Sequence, residues 1–206
     1  MSNHEAPRSK RRRFAPIALL AGVAGAVLLS LSMTNTLSAF TASITNTTNT
    51  AGSGTLAMQE TNSDGSIICN SSLTGTASCA TINKYGGSTT LIPGAAAQTT
   101  TIKIKNTGSI AASTFTLTPS ACTSTAQSGV TAGSGNLCQK LNVVIKANGT
   151  QVYSGTAAGL TAVQNLTSVA PGTTVTITFD VSIDTSADNT IQGLVASQPL
   201  TWTFTS

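Results

Sequence analysis

Apolar residues fall on alternate positions through much of this chain. From Thr173 to Ile183, one face holds Val175, Ile177, Phe179, Val181 and Ile183. The other holds Thr174, Thr176, Thr178, Asp180 and Ser182. Leu200, Trp202 and Phe204 alternate with Thr201, Thr203 and Thr205 near the C-terminus, and Ile102 and Ile104 with Lys103 and Lys105. Phe115 and Leu117 alternate with Thr114, Thr116 and Thr118, and Leu141, Val143 and Ile145 with Asn142, Val144 and Lys146. A period of two is the mark of half-buried strands, and here it recurs with turn signals between the runs. Asn148-Gly149 suits a tight hairpin and Asp64-Gly65 offers another. Pro93-Gly94 and Pro171-Gly172 also punctuate. No stretch downstream of residue 40 keeps a helical period. The pattern predicts an all-β fold, an antiparallel β-sandwich of jelly-roll or Greek-key type. A faint echo relates Leu91-Ile92-Pro93-Gly94 to Val169-Ala170-Pro171-Gly172, each leading into a Thr-rich strand. Two crossings of one sandwich would produce it.

The first forty residues follow a different rule. Lys10, Arg11, Arg12 and Arg13 precede an uncharged run, Phe14 to Ser32, dense in Ala, Leu, Gly and Val. Leu37-Ser38-Ala39 then places small residues where a signal peptidase cuts. A positive segment, an apolar segment and a small-residue exit predict a secretory signal over 1–39, cut at Ala39 and Phe40. The alternative is a permanent membrane helix over about 15–33, because the apolar run approaches the ~20 residues a bilayer requires. Both readings put the body outside the cytoplasm, secreted or at the cell surface, touching a membrane only through the leader. Residues 40–52 read as an extended N-terminal segment and 53–206 as a single sandwich domain.

Removing the leader changes the charge balance. Five of ten basic residues and one of six acids lie in it, together with the lone histidine, His4. The mature chain holds five Lys against five acids and is neutral. The basic isoelectric point therefore belongs to the leader and argues for no nucleic-acid partner. Thr makes up about one residue in five of the remainder, which suits the exposed face of a pleated sheet.

Cys69, Cys79, Cys122 and Cys138 are an even set in an exported chain and read as disulfides, with three pairings open. Cys69–Cys79 and Cys122–Cys138 are favoured, since each pair brackets a polar, turn-rich excursion. Thr123–Asn136 in particular is rich in Ser, Gly and Thr, with almost nothing to bury. Closing such loops contributes about 2–4 kcal/mol. Spacings of ten and sixteen without His make a poor zinc site, and Cys-x-x-Cys is absent.

Catalytic chemistry finds little to use. A hydrolytic triad needs a base, usually His, and the mature chain has none. Glu60 with Asp64, or Asp180 with Asp184 and Asp188, are the carboxylate groupings on offer. Asp184, Asp188 and Asn189 could ligate calcium weakly, but solvated loop acids explain them better. Trp202 could stack on a sugar, although its side of the strand is that of Leu200 and Phe204, which points to the core. The expectation is a non-catalytic protein with no cofactor and no metal.

Several blocks together resemble the TasA/camelysin family of bacterial surface and biofilm-matrix proteins, exported with a leader cut by a SipW-type signal peptidase. Leu37-Ser38-Ala39-Phe40-Thr41 is similar to that family's exit from the leader, and Ala51-Gly52-Ser53-Gly54-Thr55-Leu56 to the start of its first strand. Leu91-Ile92-Pro93-Gly94, then Ile102 to Ile110, resembles its middle block. Asp188-Asn189-Thr190-Ile191-Gln192-Gly193, followed by Leu200-Thr201-Trp202-Thr203-Phe204, resembles its ending. The blocks occur in the family's order. The resemblance implies a jelly roll and a structural role at the cell surface or in the matrix. It also implies self-assembly into homopolymers, the N-terminal segment of one subunit completing the sheet of the next. Phe40, Ala42 and Ile44 alternate with Thr41, Ser43 and Thr45 as such an assembly strand would. The four cysteines, and the lack of long inserts rich in Lys and acids, set this chain apart from the matrix-forming members. The other class left open is a monomeric adhesin or binding module using loops such as Thr123–Asn136.

Overall fold

The computed structural model describes residues 43–71 and 77–206. Its strands are β1 (Met58–Asn62), β2 (Ile68–Asn70), β3 (Gln98–Asn106), β4 (Thr114–Pro119), β5 (Thr123–Ala126) and β6 (Leu141–Ala147). They continue with β7 (Thr150–Thr156), β8 (Gln164–Leu166), β9 (Thr174–Ile183), β10 (Leu194–Ser197) and β11 (Leu200–Thr205). Helical structure among the described residues is confined to 3-10 turns at Leu137–Gln139, Ala157–Gly159 and Asn189–Ile191. The leader 1–39, its cleavage site Ala39 and Phe40, and Ala42 lie outside the described residues.

Gly52–Ser206 forms a compact unit, an all-β sandwich of antiparallel sheets. One layer is six-stranded in the order β2-β1-β3-β9-β6-β7; the facing sheet is β11-β4-β8. A further pair, β10-β5, continues the β11–β4 ribbon. Leu200 pairs with Pro119 and Ser197 with Thr123, and Ser120 N donates to Pro199 O across the joint (2.9 Å). Two prolines, Pro119 and Pro199, stand at this joint, and neither can donate a ladder bond. β6 and β7 form a hairpin, β8 passes to the facing sheet, and β9 returns beside β6. This is a Greek-key path wrapped around the sandwich edge.

The alternating segments become the core. In β9 the residues from Val175 to Ile183 alternate buried with half-buried, and Ile177 and Phe179 are fully enclosed. Register aligns the apolar rows: Ile102 faces Ile177, Ile145 faces Phe179 and Val143 faces Val181. From the facing sheet, Phe115 and Leu117 complete the interior. Phe115 packs edge-on against Phe204 at 5.0 Å between ring centroids and is tilted against Trp202 at 5.6 Å. Burying each such side chain is worth roughly 1.5–3 kcal/mol.

The turns match the residues that make them. Asn148 (φ 48°) and Gly149 (φ 82°) form the two-residue loop of the β6–β7 hairpin, where both positions need the left-handed region. Asn148 Oδ1 also accepts from Thr176 N at 2.9 Å, tying the loop to β9. Both Pro-Gly segments precede strands of one sheet, β3 and β9, which are direct antiparallel neighbours. The echo in the sequence is thus a repeat between adjacent strands.

The cysteines pair as Cys69–Cys79 and Cys122–Cys138, with Cα separations of 5.7 and 6.0 Å and no free thiol among the described residues. Disulfides of this kind belong to a non-reducing compartment. Among the described residues, no helix is long and apolar enough to cross a membrane.

Thr123–Asn136 differs from its expectation as a free excursion. Its first residues are β5, paired to β10. Its far end is sewn to the turn around Thr190: Gly133 N donates to Gln192 O and Gly135 N to Thr190 O, both at 2.8 Å. A Cβ at Gly133 would collide with the Thr190 backbone, so glycine is what lets the two chains lie together.

Candidate functional site

The two layers have unequal width, and the mismatch shapes the surface. β11 ends the narrower sheet, whereas β1 and β2 extend the wider one beyond it. The chain from Ala77 to Tyr85 covers part of that overhang. Between the overhang and β11 lies a groove of about 830 Å³, walled by Met58 and Glu60 on one side and by Leu200, Trp202 and Phe204 on the other.

Glu60 occupies an inward position of β1, opposite Ile104 of β3 and Cys69 of β2. Its side chain is only 8% exposed and its Oε1 lies 2.7 Å from Lys84 Nζ, itself 12% exposed. The contact is ionic; among the described residues the oxygen accepts no well-aligned hydrogen bond. An unpaired buried carboxylate would be costly, so the Lys84 turn is what allows an acid on the inner face. The turn is held locally: Asn83 Oδ1 accepts from Tyr85 N, and Gly86 N donates to Asn83 O. The Cys69–Cys79 bridge fixes the start of this covering segment to β2.

Tyr85 locks the other wall. Its hydroxyl donates to Gln198 Oε1 at 2.6 Å, and Gln198 Nε2 donates to the carbonyls of Ser120 and Leu160, each at 2.8 Å. Burial pushes the phenol far above its ordinary pKa, with the neighbouring Tyr153 adding to the shift, so it remains a donor throughout the working pH range. Gln198 thereby fastens the covering segment, the β10–β11 joint and the Leu160 turn together. Trp202 packs on Phe115 and edge-on against Phe179 at 6.3 Å. Its Nε1 is buried and has no acceptor among the described residues.

The residues singled out by sequence divide clearly. Trp202 shares its face with Leu200 and Phe204, all three half-buried. Glu60 and Asp64 have separate partners. Asp64 sits in the β1–β2 turn, where Oδ1 accepts from Ser66 N at 3.0 Å and Ser66 Oγ at 2.8 Å, lowering its pKa. Asp180 lies on the outer sheet face, 2.8 Å from Lys146 Nζ, and Thr99 Oγ1 also donates to it; these bonds hold its carboxyl below the usual range. Asp184 accepts from Ser186 N at 2.8 Å and its pKa is pulled down to about 2, first by Ser186. Asp188 accepts from Thr190 N at 3.0 Å, which lowers it likewise. These loop acids each cap a turn. Among the described residues, no three His, Cys, Asp or Glu side chains gather as a metal site would require. Ile44 is fully exposed, and residues 43–51 contain no strand.

The blocks behind the family resemblance serve architecture. Asn106 is fully buried; its Nδ2 donates to Ile110 O and Val169 O, and its Oδ1 accepts from Gly108 N. A Cβ at Gly108 would strike the backbone at Leu56–Ala57, so this glycine admits a close crossing of chains. Gly193 (φ 69°) turns the chain into β10, and its carbonyl accepts from Gln127 N.

Lys84, Tyr85 and Gln198 were missed by sequence reasoning. A signal existed: in a chain this poor in charge and aromatics, Lys84-Tyr85 stand side by side before Gly86-Gly87.

The fold and its two staples define a disulfide-linked, all-β sandwich domain. Neither a family model nor a curated protein matches the chain. The TasA/camelysin likeness therefore rests on the residue blocks alone.

Proposed function

We propose that this chain is a secreted, non-catalytic structural protein of the cell surface or extracellular matrix, exported by signal peptidase and assembled into fibres through its N-terminal segment. One observation carries the reading. Residues 43–51 are exposed and carry no strand, with Ile44 fully in solvent, although their neighbours alternate as a strand does. The sandwich meanwhile ends in long strand edges, β7 and β11, that bear no charged residue. Natural sheets usually blunt such edges. An exposed segment with a strand's alternation and a strand edge without a second partner among the described residues are the two halves of strand addition between copies.

Electron microscopy of the exported protein tests it. Filaments are expected from the intact chain, and deletion of Phe40–Thr48 should abolish them while leaving the folded sandwich. Filaments that survive the deletion would overturn donation by this segment.

The second reading, a monomeric adhesin or binding module, draws support from the groove beside Trp202, with its mixed apolar and polar walls. A protein that stays monomeric at all concentrations favours it. The Thr123–Asn136 segment gives this reading less support, being sewn to β10 and the Thr190 turn.

A further inference from the structure

The two disulfides sit in unlike surroundings. Cys138 is 1% exposed and lies in the Leu137–Gln139 turn, where Leu137 is buried as well. Cys69 and Cys79 are both half-buried, and both line the groove. Thr81, an exposed residue, places its Oγ1 4.0 Å from Cys69 Sγ and 3.9 Å from Cys79 Sγ. Bridged sulfurs carry no hydrogen, so the hydroxyl is the donor and can serve either one.

Thiol–disulfide exchange needs a thiolate to attack one sulfur while the other leaves as a thiolate. At Cys122–Cys138 both directions are hindered. Burial closes Cys138 to attack, and attack on Cys122 would make Cys138 leave as a buried thiolate, which apolar surroundings disfavour. At Cys69–Cys79 either sulfur can be the target, and Thr81 can donate to the one that leaves.

This bridge also has something to hold. Cys69 lies in β2, three residues long and paired only with β1 among the described residues. Cys79 lies near the start of the segment that carries Lys84 to Glu60 and Tyr85 to Gln198. With the bridge open, that segment is left with the buried Ile82, one ion pair and the tyrosine bond.

We propose that Cys69–Cys79 is a redox latch, opened by an external dithiol while Cys122–Cys138 stays closed, and that its opening releases the covering segment from the Glu60 flank. The proposal is independent of both readings of function above. One thiolate of the dithiol bonds to Cys69 or Cys79 Sγ, the bond between the two sulfurs breaks, and the other cysteine leaves as a thiolate. The second thiol then attacks the mixed disulfide, freeing the remaining cysteine and closing the dithiol into its own disulfide. Two electrons pass from the dithiol to the bridge, and its two thiol protons end, through water, on Cys69 and Cys79.

The exported full chain is treated with dithiothreitol, and free thiols are alkylated at intervals and located by peptide mass mapping. Cys69 and Cys79 are expected to be alkylated while Cys122 and Cys138 are still bridged and the circular dichroism of the sheets is unchanged. Trypsin reads the release. The Lys84 side chain is 12% exposed in the closed form, so cleavage after it should appear on reduction, with the β6 region at Lys140 and Lys146 uncut. Thr81→Val should slow opening of the first bridge about fivefold, the worth of one ordinary hydrogen bond, and Thr81→Ser should restore the rate. Simultaneous opening of both bridges, or earlier opening of Cys122–Cys138, would overturn the latch. Opening of Cys69–Cys79 with Lys84 still resistant to trypsin would overturn the release. An unchanged rate in Thr81→Val would overturn the part given to Thr81.

Discussion

Two parts of the six-stranded sheet obey opposite rules. In its centre, β3, β9 and β6 present Ile102, Ile104, Ile145, Val143, Ile177 and Phe179 inward, all fully enclosed. At its flank, β1 and β2 present Met58, Glu60 and Cys69 inward. The backbone pairing is antiparallel in both places. The difference lies in what covers them. The centre faces Phe115 and Leu117 of a second sheet. The flank reaches past that sheet and is covered by a turn, an ion pair and a disulfide. Where two sheets meet, packing alone closes the interior. Where one overhangs the other, polar pairing and a covalent staple take over, and a groove remains.

The largest expected effect lies in the centre. Phe179→Ala should cost about 3–5 kcal/mol, since the ring is fully buried between Ile145, Trp202 and the β3 row. Met58→Ala on the half-buried flank should cost well under half of that. Urea unfolding of both variants measures the contrast; equal losses would erase the distinction between the regions.

Next comes the ion pair. Lys84→Ala leaves Glu60 buried without its partner and should cost about 3 kcal/mol. Replacing both residues, Glu60→Leu with Lys84→Met, should recover most of the loss, because two apolar groups need no compensation. If the double variant is as weak as the single one, the pair is not what closes the flank.

The smallest effect concerns acid. Asp64, Asp180, Asp184 and Asp188 all have folded pKa values below the ordinary 3.8, Asp184 near 2. A depressed carboxyl contributes stability above about 3.8 that is lost as pH falls through its folded value. Melting temperature should therefore be flat above pH 5 and drop between about pH 4 and 2. Asp184→Asn should make that drop shallower. These groups are exposed loop caps and outer-face partners, so the whole change should be smaller than either effect above. A melting temperature that rises in acid would contradict it.

The central strands were legible in the sequence because burial on one face imposes a period of two on any long strand. β9, β6, β4 and β11 show it at nearly the boundaries observed, and β3 shows it over Ile102–Lys105, although that strand begins four residues earlier at Gln98. The disulfide pairing was legible too, because each pair spans a short polar stretch whose ends a bridge can join. The turn at Asn148-Gly149 followed from the left-handed conformation that those residues tolerate. β1, β2, β5, β8 and β10 were not legible. They are three to five residues long, and in β1 the enclosed position is Glu60, which reads as solvent-facing until Lys84 arrives from elsewhere in the chain. The structured half of Thr123–Asn136 was hidden for a similar reason: its partners, β10 and the Thr190 turn, lie about fifty-five to seventy residues away.

The sequence by itself determined that the body is built of half-buried strands, that local pairing of its cysteines is favoured, and that charge is scarce beyond residue 40. Local pattern suffices for these, since each depends on neighbours within at most sixteen residues. Only the tertiary structure decided which strands lie side by side, that one sheet is twice as wide as the other, and that β11 borders a groove with no partner but β4 among the described residues. Those features arise from contacts between distant segments, where hydrogen-bond registry and packed volume choose the partner and no local period records the choice.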